Sequence, residues 1–514
     1  MDEHVDVVVI GAGLGGLAAA VTAAGRGRRV LVLEQQTEPG GYAVCFQRGP
    51  YRFDVSLHAL GGLASGGGYD TVYRELDLWN RLPLHRLDPL YVLRTPYGDF
   101  TAHADLFRYE SELIRLFPEQ MAGIRSYLDE AWAIYHDLRR LEEDQAAGRE
   151  IPPAAFMTRY PAFARISTET WEQTLARHVS DPRTRSMLAA LWGYFGLPPA
   201  RCAALIGVAG TLEFHLFGGW YPEGGSGAVS RTLEQVLRER GGEIRYGQRV
   251  TGLEIKDGVV TAVSTAEGLR VETAAVISNA NAPTTMLDMV GRQHLPGDYV
   301  ARVETPAVSF TTFSVYLGVN RDLFREQGLP HELFRSDGGD PETSWRAALS
   351  GDWEHTGLAM LDYASVDPTC APPGSSVVVL SVIAGWDYAD VWGTGGHLID
   401  YHTNPRYLEV KERVADVLVA RADRYVPGLR DAIQHREVST PLTNYSYTGN
   451  PRGAIEGYEN SPENTGLGGL PQVTPIRNLV LAGAWTGGGG QNPAMASGVA
   501  AARLALTMPT LVAS

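Results

Sequence analysis

Three glycines and one glutamate near the start of the chain have the spacing of a turn that binds a dinucleotide. Gly11, Gly13 and Gly16 follow the continuously apolar residues 7–10, and Glu34 follows a second apolar run. Gly11 allows a tight turn, Gly13 lets a pyrophosphate approach the backbone, and Gly16 lets a helix pack closely against a strand. Because a helix N-terminus attracts phosphate and a carboxylate accepts ribose hydroxyls, the pattern predicts one bound dinucleotide. These residues leave FAD and NAD open as alternatives.

The elements that must position this turn form one strand–helix–strand unit. Residues 7–10 and Val30–Leu33 are apolar and rich in β-branched side chains, which is typical of strands buried on both faces of a parallel sheet. Residues 18–24 between them are predicted to form a closely packed helix, with a further helix at 494–506 near the end of the chain.

A β-meander and a second sheet are predicted further along the chain. Val250–Lys256 and residues 259–264 flank Asp257 and Gly258, a dipeptide that favours a tight hairpin. With a buried strand at 276–278, this meander fits a dinucleotide-binding domain. The strands predicted for the second sheet are 309–319, 358–365 and Ser376–Ala384.

Two stretches are predicted to be helical. Apolar residues within 104–217 repeat at steps of three and four, so this segment is predicted to be mostly helical, and Pro405–Tyr425 is an amphipathic helix with Asn404 as its N-cap. The apolar stretch 187–221 is interrupted by prolines and falls short of the roughly 20 residues that a membrane span needs. This stretch has three alternative interpretations: core helices, the wall of an apolar substrate tunnel, or a patch that touches a bilayer.

Composition restricts the classes of function. The 514 residues carry a net charge of −15 at pH 7, which repels phosphate backbones and argues against nucleic-acid binding. The 3 cysteines are far apart in sequence, so paired CxxC zinc and redox motifs are excluded. One disulfide is possible, but a reduced, cytoplasmic chain is favoured. The histidines lack metal-ligand spacing, so no metal is expected.

Several motifs together resemble one family. Residues 5–41, with GAGLGG, Glu34 and Gly40-Gly41, resemble the opening of the FAD-dependent amine oxidase superfamily. Four further stretches resemble its phytoene desaturase, carotenoid isomerase and retinol saturase branch. They are FDVSLHALGG at 53–62, YPEGGSGAVSRTL at 221–233, YTGNPRGAIEGYE at 447–459 and RNLVLAGAWTGGGGQNPAMASGVAAA at 477–502.

This resemblance implies FAD, bound non-covalently, as the dinucleotide. It places Gly483 and Ala484 against the FAD phosphates, and it places the start of the helix at Ala494, just after Pro493, near the pyrimidine edge of the flavin. A helix N-terminus there would stabilise the negative charge of reduced flavin. The residues implied to bind the cofactor are Gly11, Gly13, Gly15, Gly16, Glu34, Gly40, Gly41, Val250, Gly483, Ala484, Pro493 and Ala494.

His58 is the candidate catalytic residue, because the stretch that contains it is implied to pass close to the flavin. It is interpreted as a proton donor or acceptor, or as a hydrogen-bond anchor for a substrate oxygen, with a packed histidine as the alternative. The substrate pocket is predicted to be long, apolar and mostly dry, with residues 187–221 and 309–319 as its walls.

Other side chains are candidates for the pocket or the flavin. For each of them the alternative to a role in the site is core packing or a buried hydrogen bond. For Cys45, a buried structural thiol is favoured over a covalent link to the flavin. The pocket candidates are Glu213, His215, Tyr445, Tyr447 and Trp485.

The predicted fold is α/β: a Rossmann-like FAD-binding domain with a parallel sheet and a β-meander, interwoven with a substrate domain of mixed sheet and helices. The FAD-binding domain takes residues 1–68, 219–290 and 442–514. Residues 69–218 form a mostly helical insert, and 291–441 form the substrate-binding sheet and helices.

The predicted function is an FAD-dependent oxidoreductase acting on carbon–carbon bonds of a lipophilic or conjugated small molecule, of desaturase, saturase or polyene isomerase type, as in natural-product biosynthesis. One alternative is an amine or amino-acid oxidase, for which Arg48, Arg52 and Arg452 are candidate carboxylate clamps. The other is a non-enzymatic prenyl-lipid-binding module, against which the intact glycine motif argues.

The predicted partners are a lipophilic small molecule and an electron acceptor, with oxygen and a quinone both open. No nucleic acid and no transmembrane segment are expected. The predicted location is the cytoplasm, with peripheral contact to a membrane left open.

Overall fold

The computed structural model of the chain describes residues 3–149, 151–336 and 339–508. Their strands form two sheets of seven strands each, which position the site described below, and two smaller sheets. The three-stranded sheet joins Leu60–Gly61, Gly219–Pro222 and Leu84–Leu87, and the two-stranded sheet joins Cys45–Arg48 and Tyr51–Asp54.

The first sheet is mainly parallel, and its central strand is Glu3–Ile10. Val8 and Val9 in that strand are completely buried, as expected for β-branched side chains between two covered faces. The parallel strands are, in their order across the sheet, Glu243–Arg245, Val30–Leu33, Glu3–Ile10, Arg270–Ser278 and Leu479–Leu481.

The strand Arg270–Ser278 belongs both to the parallel part and to a meander. Its first residues pair antiparallel with Val259–Thr265, which pairs in turn with Val250–Lys256. Asp257 and Gly258 have φ of 52° and 73° in the turn, so the predicted hairpin is confirmed. The strand predicted at 276–278 begins earlier, because its first half alternates between buried and partly exposed residues and lacks a continuous apolar run.

Three helices cover one face of this sheet. Leu14–Ala24 packs against Gln491–Thr507 and Ser226–Glu239, and all of its own residues are buried. A Cβ atom at Gly498 would lie 2.0 Å from the carbonyl oxygen of Gly15, so small residues let two of these helices approach closely. The helix predicted at 18–24 begins at Leu14, because the glycines of the turn form its first turn.

Along the strand Thr311–Val319 of the second sheet, successive side chains point to opposite faces. Phe313, Val315 and Leu317 are completely buried in a core that includes the helix Pro405–Tyr425. The predicted cap of that helix is confirmed, because Oδ1 of Asn404 accepts the N–H of Arg406 at 3.0 Å. The strands are, in sheet order, Ile433–Ser439, Thr311–Val319, Ser376–Ala384, Leu358–Asp362, Glu332–Arg335, Tyr91–Thr95 and Gly98–Ala102.

The segment predicted to be mostly helical, 104–217, is helical. The strands Tyr91–Thr95 and Gly98–Ala102, which precede it, belong to the second sheet. The boundaries of the three predicted domains stay a prediction. The helices of the segment are Leu106–Leu116, Met121–Ala146, Pro153–Arg159, Pro161–Ile166, Trp171–His178, Pro182–Leu188, Trp192–Phe195 and Ala204–Phe217.

Short elements complete the described chain. The left-handed turn Tyr388–Trp392 and the π-helix Thr284–Gly291 are among them. The short helices are Asp70–Glu75, Gly297–Glu304, Leu323–Glu326, Pro341–Ser350, Leu429–Ala432, Pro441–Thr448 and Ala484–Gly487, and the 3₁₀ turns are Pro118–Gln120, Arg292–His294, Pro368–Cys370, Tyr401–Thr403, Pro451–Gly453 and Gly466–Gly468.

None of the helices in the described ranges combines the length and the apolar character that crossing a membrane requires.

Candidate active site

One cavity of about 1380 Å³ is lined by strand ends of the first sheet and by one face of the second sheet. Ile10, Leu33 and Asn279 lie at or just beyond the carboxyl ends of three neighbouring parallel strands and line it. Ligands of open α/β sheets bind at this edge. Because sites for one small ligand usually measure about 300–1,000 Å³, this cavity has room for a dinucleotide and a second molecule.

The turn after Ile10 requires glycine at its motif positions, at Gly11 because of the backbone conformation and at Gly13 and Gly16 because space is lacking. Gly11 has a φ of +89°, which glycine adopts readily. A Cβ atom at Gly16 would lie 2.0 Å from the carbonyl oxygen of Gly11, and one at Gly13 would lie 2.6 Å from Nδ2 of Asn279. Side chains at these positions would distort the turn or fill it, as the spacing of the glycines predicts.

Two helices begin at this cavity without capping side chains. Gly13 is the N-cap of Leu14–Ala24 and Gly490 is the N-cap of Gln491–Thr507, and both glycines line the cavity. The first N–H groups of a helix lack intrahelical acceptors and carry a partial positive charge. Both termini can therefore bind anionic groups of a ligand.

The carboxylate of Glu34 is held by backbone donors. Its Oε2 accepts the N–H of Ala12 at 2.6 Å, and its Oε1 accepts the N–H of Gln36 at 2.8 Å. Each carboxylate oxygen has a further lone pair, so Glu34 can still accept ribose hydroxyls as predicted.

The last helix begins at Gln491, three residues before the start predicted at Ala494. Pro493 therefore lies within the first turn, where proline is tolerated because an N–H there has no acceptor. Both polar side-chain atoms of Gln491 are buried without a hydrogen-bond partner. Buried polar atoms are usually paired, so this amide is available to a bound ligand.

The residues implied to bind the cofactor come together and fit a dinucleotide such as FAD. Gly16 and Gly483 lie behind the cavity wall, where a Cβ atom at Gly15 would lie 2.7 Å from Cα of Gly483. The others line the cavity: Gly11, Gly13, Gly15, Glu34, Gly40, Gly41, Val250, Ala484, Pro493 and Ala494.

His58 lines the same cavity and is held by a buried carboxylate. Its Nδ1 lies 2.6 Å from Oε1 of Glu332, whose side chain is 1% exposed. The hydroxyl of Tyr194 donates to Oε2 of Glu332 at 2.6 Å, and burial raises the pKa of Tyr194 well above its usual value. Nε2 of His58 has no hydrogen-bond partner among the described residues. A histidine fixed through Nδ1 presents Nε2 for proton transfer or hydrogen bonding.

The wall beyond His58 is largely apolar. The predicted wall segment 187–221 supplies Leu191, Phe195, Ile206 and Phe214 to the cavity lining, and its contact with a substrate stays a prediction. The second sheet supplies a more polar wall than predicted, because Thr312, Ser314 and Ser381 alternate with core residues and line the cavity. The pocket is therefore apolar on one side and carries hydroxyl groups on the other.

Comparison with known proteins identifies the family. Residues 14–506 match the family described as flavin containing amine oxidoreductase. The chain belongs to this family. It is therefore a flavin-dependent oxidoreductase, and the matched region begins within the glycine turn described above.

Three relatives are similar in sequence to this chain along most of their length. The chain is 27% identical to prolycopene isomerase 1 of an Oncidium hybrid, over 94% of this chain and 80% of that protein. It is 27% identical to the lycopene-forming phytoene desaturase of Pseudescherichia vulneris, over 84% and 85% of the two chains. It is 26% identical to human all-trans-retinol 13,14-reductase, over 94% and 82%.

Solved structures share the fold of this family member. An oxidoreductase from Methanosarcina mazei matches with a TM-score of 0.64 and 16% identity, over 97% of this chain and 99% of that chain. Cyclohexylamine oxidase from Brevibacterium oxydans matches with a TM-score of 0.61 and 16% identity, over 98% and 99%. The predicted α/β fold with a Rossmann-like domain is thus confirmed.

The remaining pocket candidates divide into two groups. Glu213, Tyr447 and Trp485 line the cavity, and Glu213 accepts the hydroxyl of Tyr135 at 2.7 Å. A Cβ atom at Gly62 would lie 2.2 Å from Oε2 of Glu213, so this carboxylate packs directly against the glycine-rich loop that follows His58.

His215 and Tyr445 lie outside the cavity lining. The His215 ring stacks on Tyr109 with ring centres 3.7 Å apart, its Nδ1 lies 2.8 Å from the carbonyl oxygen of His103, and burial lowers its pKa to about 4. Tyr445 packs against Trp386. His215 is a buried core residue, whereas Tyr445 is partly buried on a polar helix whose Tyr447, not Tyr445, lines the cavity.

Cys45 and the candidate arginine clamps also lie away from the cavity lining. Burial raises the pKa of Cys45 to about 12, which fits the structural thiol favoured above. Arg48 pairs with Glu437 at 2.7 Å, and Arg52 pairs with Asp367 at 2.6 Å. The third clamp candidate, Arg452, pairs with Asp387.

In the described part of the chain, no cluster of three or more His, Cys, Asp or Glu side chains could hold a metal ion.

Four site residues escaped the sequence analysis. Asn279 follows a predicted buried strand, a position where α/β sheets bind ligands, so that signal was present. Gln491 lies inside a motif that was recognised. Glu332 and Tyr194 had no local signal, since Glu332 is separated from His58 by 274 positions.

Proposed function

We propose that this oxidoreductase uses FAD to act on carbon–carbon bonds of a lipophilic, conjugated small molecule. The observation that carries the proposal is that one cavity joins the glycine turn to a wall of aromatic and aliphatic side chains. The isomerase, desaturase and reductase relatives support it, because they are named for reactions of prolycopene, phytoene and retinol.

FAD in this proposal is bound non-covalently. Gly11, Gly13 and the N-terminus of Leu14–Ala24 would hold the pyrophosphate, and Glu34 would hold the ribose. The orphan amide of Gln491 would contact the cofactor or the molecule beside it. When bound, the flavin supplies hydride or electron exchange with the substrate carbon framework. The protein binds both molecules, orients them and excludes water.

His58 would hold or move the proton that accompanies this exchange. Its Nε2 has no partner among the described residues, whereas Nδ1 is fixed by Glu332. A carboxylate that accepts from Nδ1 keeps the proton there and leaves Nε2 as the base, and it stabilises the imidazolium once Nε2 is protonated. Tyr194 holds Glu332 from the other side, so both are positioning residues.

The ion pairs of Arg48, Arg52 and Arg452 argue against these three residues as carboxylate clamps, although other arginines line the cavity. A carboxylate clamp needs an arginine in the pocket, and these three side chains already bind acidic residues outside the cavity lining.

The proposal also covers location and electron acceptor. A lipophilic substrate partitions into membranes, so we propose a cytoplasmic protein that makes peripheral contact with a membrane. Oxygen or a quinone would be the electron acceptor.

The test is anaerobic reaction of the purified, flavin-loaded protein with a panel of polyenes and, separately, a panel of amines and amino acids. We expect a polyene to change the flavin absorbance or to be isomerised, with products identified by mass spectrometry. The Gly13→Val variant, which should lack flavin, is the matched control. Rapid flavin reduction by an amine, with every polyene returned unchanged, would contradict the proposal.

A further inference from the structure

Glu456 is an acidic side chain of the cavity lining to which the proposed function assigns no role. Its backbone N–H donates to Oγ of Ser309 at 2.8 Å, which ties its segment to the start of the second sheet. Its Oε2 accepts Nδ2 of Asn460 at 3.1 Å. None of the described arginine, lysine or histidine side chains forms an ion pair with it.

Asn460 fixes which oxygen of this carboxyl group is free. Its Nδ2 donates to the carbonyl oxygen of Phe195 at 3.1 Å as well as to Glu456, so both of its amide protons are used. Oε2 of Glu456 is therefore held as an acceptor. Among the described residues nothing is hydrogen bonded to Oε1, which is left for a ligand in the cavity.

The surroundings of Glu456 favour an uncharged carboxylic acid. Burial raises the pKa of Glu456 to about 8, the hydrogen bond from Asn460 being the smaller, opposing effect. Because Oε2 accepts from Asn460, the proton belongs on Oε1. This group can then donate one strong hydrogen bond without placing a net charge in the pocket.

The residues around Glu456 determine which ligand groups could contact this hydrogen-bond donor. Phe195 and Phe310 line the cavity beside the Glu456 segment and offer apolar contact only. A Cβ atom at Gly489 would lie 2.3 Å from Cδ of Glu456, so the acid fills the space beside the glycine-rich turn. On the second sheet, the Ser314 and Ser381 hydroxyls, 3.2 Å apart, add further polar atoms to the cavity.

We propose that Glu456, held by Asn460, is a subsite that binds an oxygen atom of the substrate. The inference rests on the proposed function and narrows it: the substrate is an oxygenated lipophile, such as a polyene alcohol or ketone, rather than a pure hydrocarbon. A pure hydrocarbon would leave the Oε1 hydroxyl of Glu456 without an acceptor, which is unfavourable.

The test compares binding of all-trans-retinol and of the matching hydrocarbon, in which hydrogen replaces the hydroxyl group, to the flavin-loaded protein. The measured quantity is the ratio of the two Kd values, from polyene fluorescence, in wild type, Glu456→Gln and Glu456→Leu. Loss of one neutral hydrogen bond should lower the preference for retinol by about threefold to tenfold in Glu456→Leu. Glu456→Gln keeps a donor of the same shape and should retain most of the preference.

A second readout follows the acid itself. The infrared carbonyl band of a protonated carboxyl group should shift when retinol binds to wild type and should be absent in Glu456→Gln. Equal Kd ratios in all three proteins, or loss of flavin from the variants with an unchanged ratio, would overturn the subsite. If neither polyene binds wild type, the proposed function fails and the subsite falls with it.

Discussion

Replacing Gly16 by alanine should open the glycine turn. The added Cβ atom would lie 2.0 Å from the carbonyl oxygen of Gly11 and 3.2 Å from Cβ of Asn279, whereas ordinary contacts begin at 3.4 Å. The Gly11 oxygen or the helix must therefore move by about 1.4 Å. The neighbouring Asn279 side chain limits movement in that direction.

The cost of this displacement follows from packing. Forcing a methyl group into a packed site typically costs about 1–3 kcal/mol, which is less than the total stability of about 5–15 kcal/mol of most domains. The variant should therefore fold. Losing one hydrogen bond to a charged phosphate costs about 1.5–3 kcal/mol, so FAD should bind roughly 10- to 100-fold more weakly.

The assay is FAD titration of the apoprotein, together with urea unfolding of the apo forms. Gly252→Ala is the matched control, because its Cβ atom would have no atom within 4 Å and the residue lies in the same sheet. We expect the control to keep wild-type FAD affinity. A Gly16→Ala protein with FAD affinity within threefold of wild type would refute the steric reasoning.

Three further outcomes are expected. Glu34→Ala should lower the free energy of unfolding by about 1–3 kcal/mol even without flavin, because two backbone N–H groups lose their acceptor; unchanged urea midpoints would contradict this. His58→Ala should lower turnover about 100-fold with flavin content unchanged, and full activity would reduce His58 to a packing residue. His215 has a folded pKa of about 4, below its unfolded value of 6.5, so the stability it contributes is present above pH 6.5 and is lost as the pH falls. Between pH 7.5 and pH 5 wild type should lose about 2 kcal/mol more than His215→Phe, and parallel pH profiles would show that the buried ring is not the cause.

Local sequence determined the elements whose signals lie within a few residues. The glycine spacing after residues 7–10, the hairpin at Asp257 and Gly258, and the Asn404 cap each depend on backbone geometry that neighbouring residues impose. The family resemblance also predicted the helix near the C-terminus, although that helix begins at Gln491 rather than Ala494.

Only the tertiary structure decided which polar side chains share the cavity. His58 meets Glu332 across 274 positions because Glu332 lies on the cavity-facing side of a strand, and a shift of one residue would turn it into the core. The same rule brings hydroxyl groups of the second sheet to the pocket. Histidine is a common active-site residue, but the His215 ring stacks on Tyr109 and does not reach the cavity. The direction of a side chain on a buried helix depends on the packing of distant segments, which the local sequence does not show.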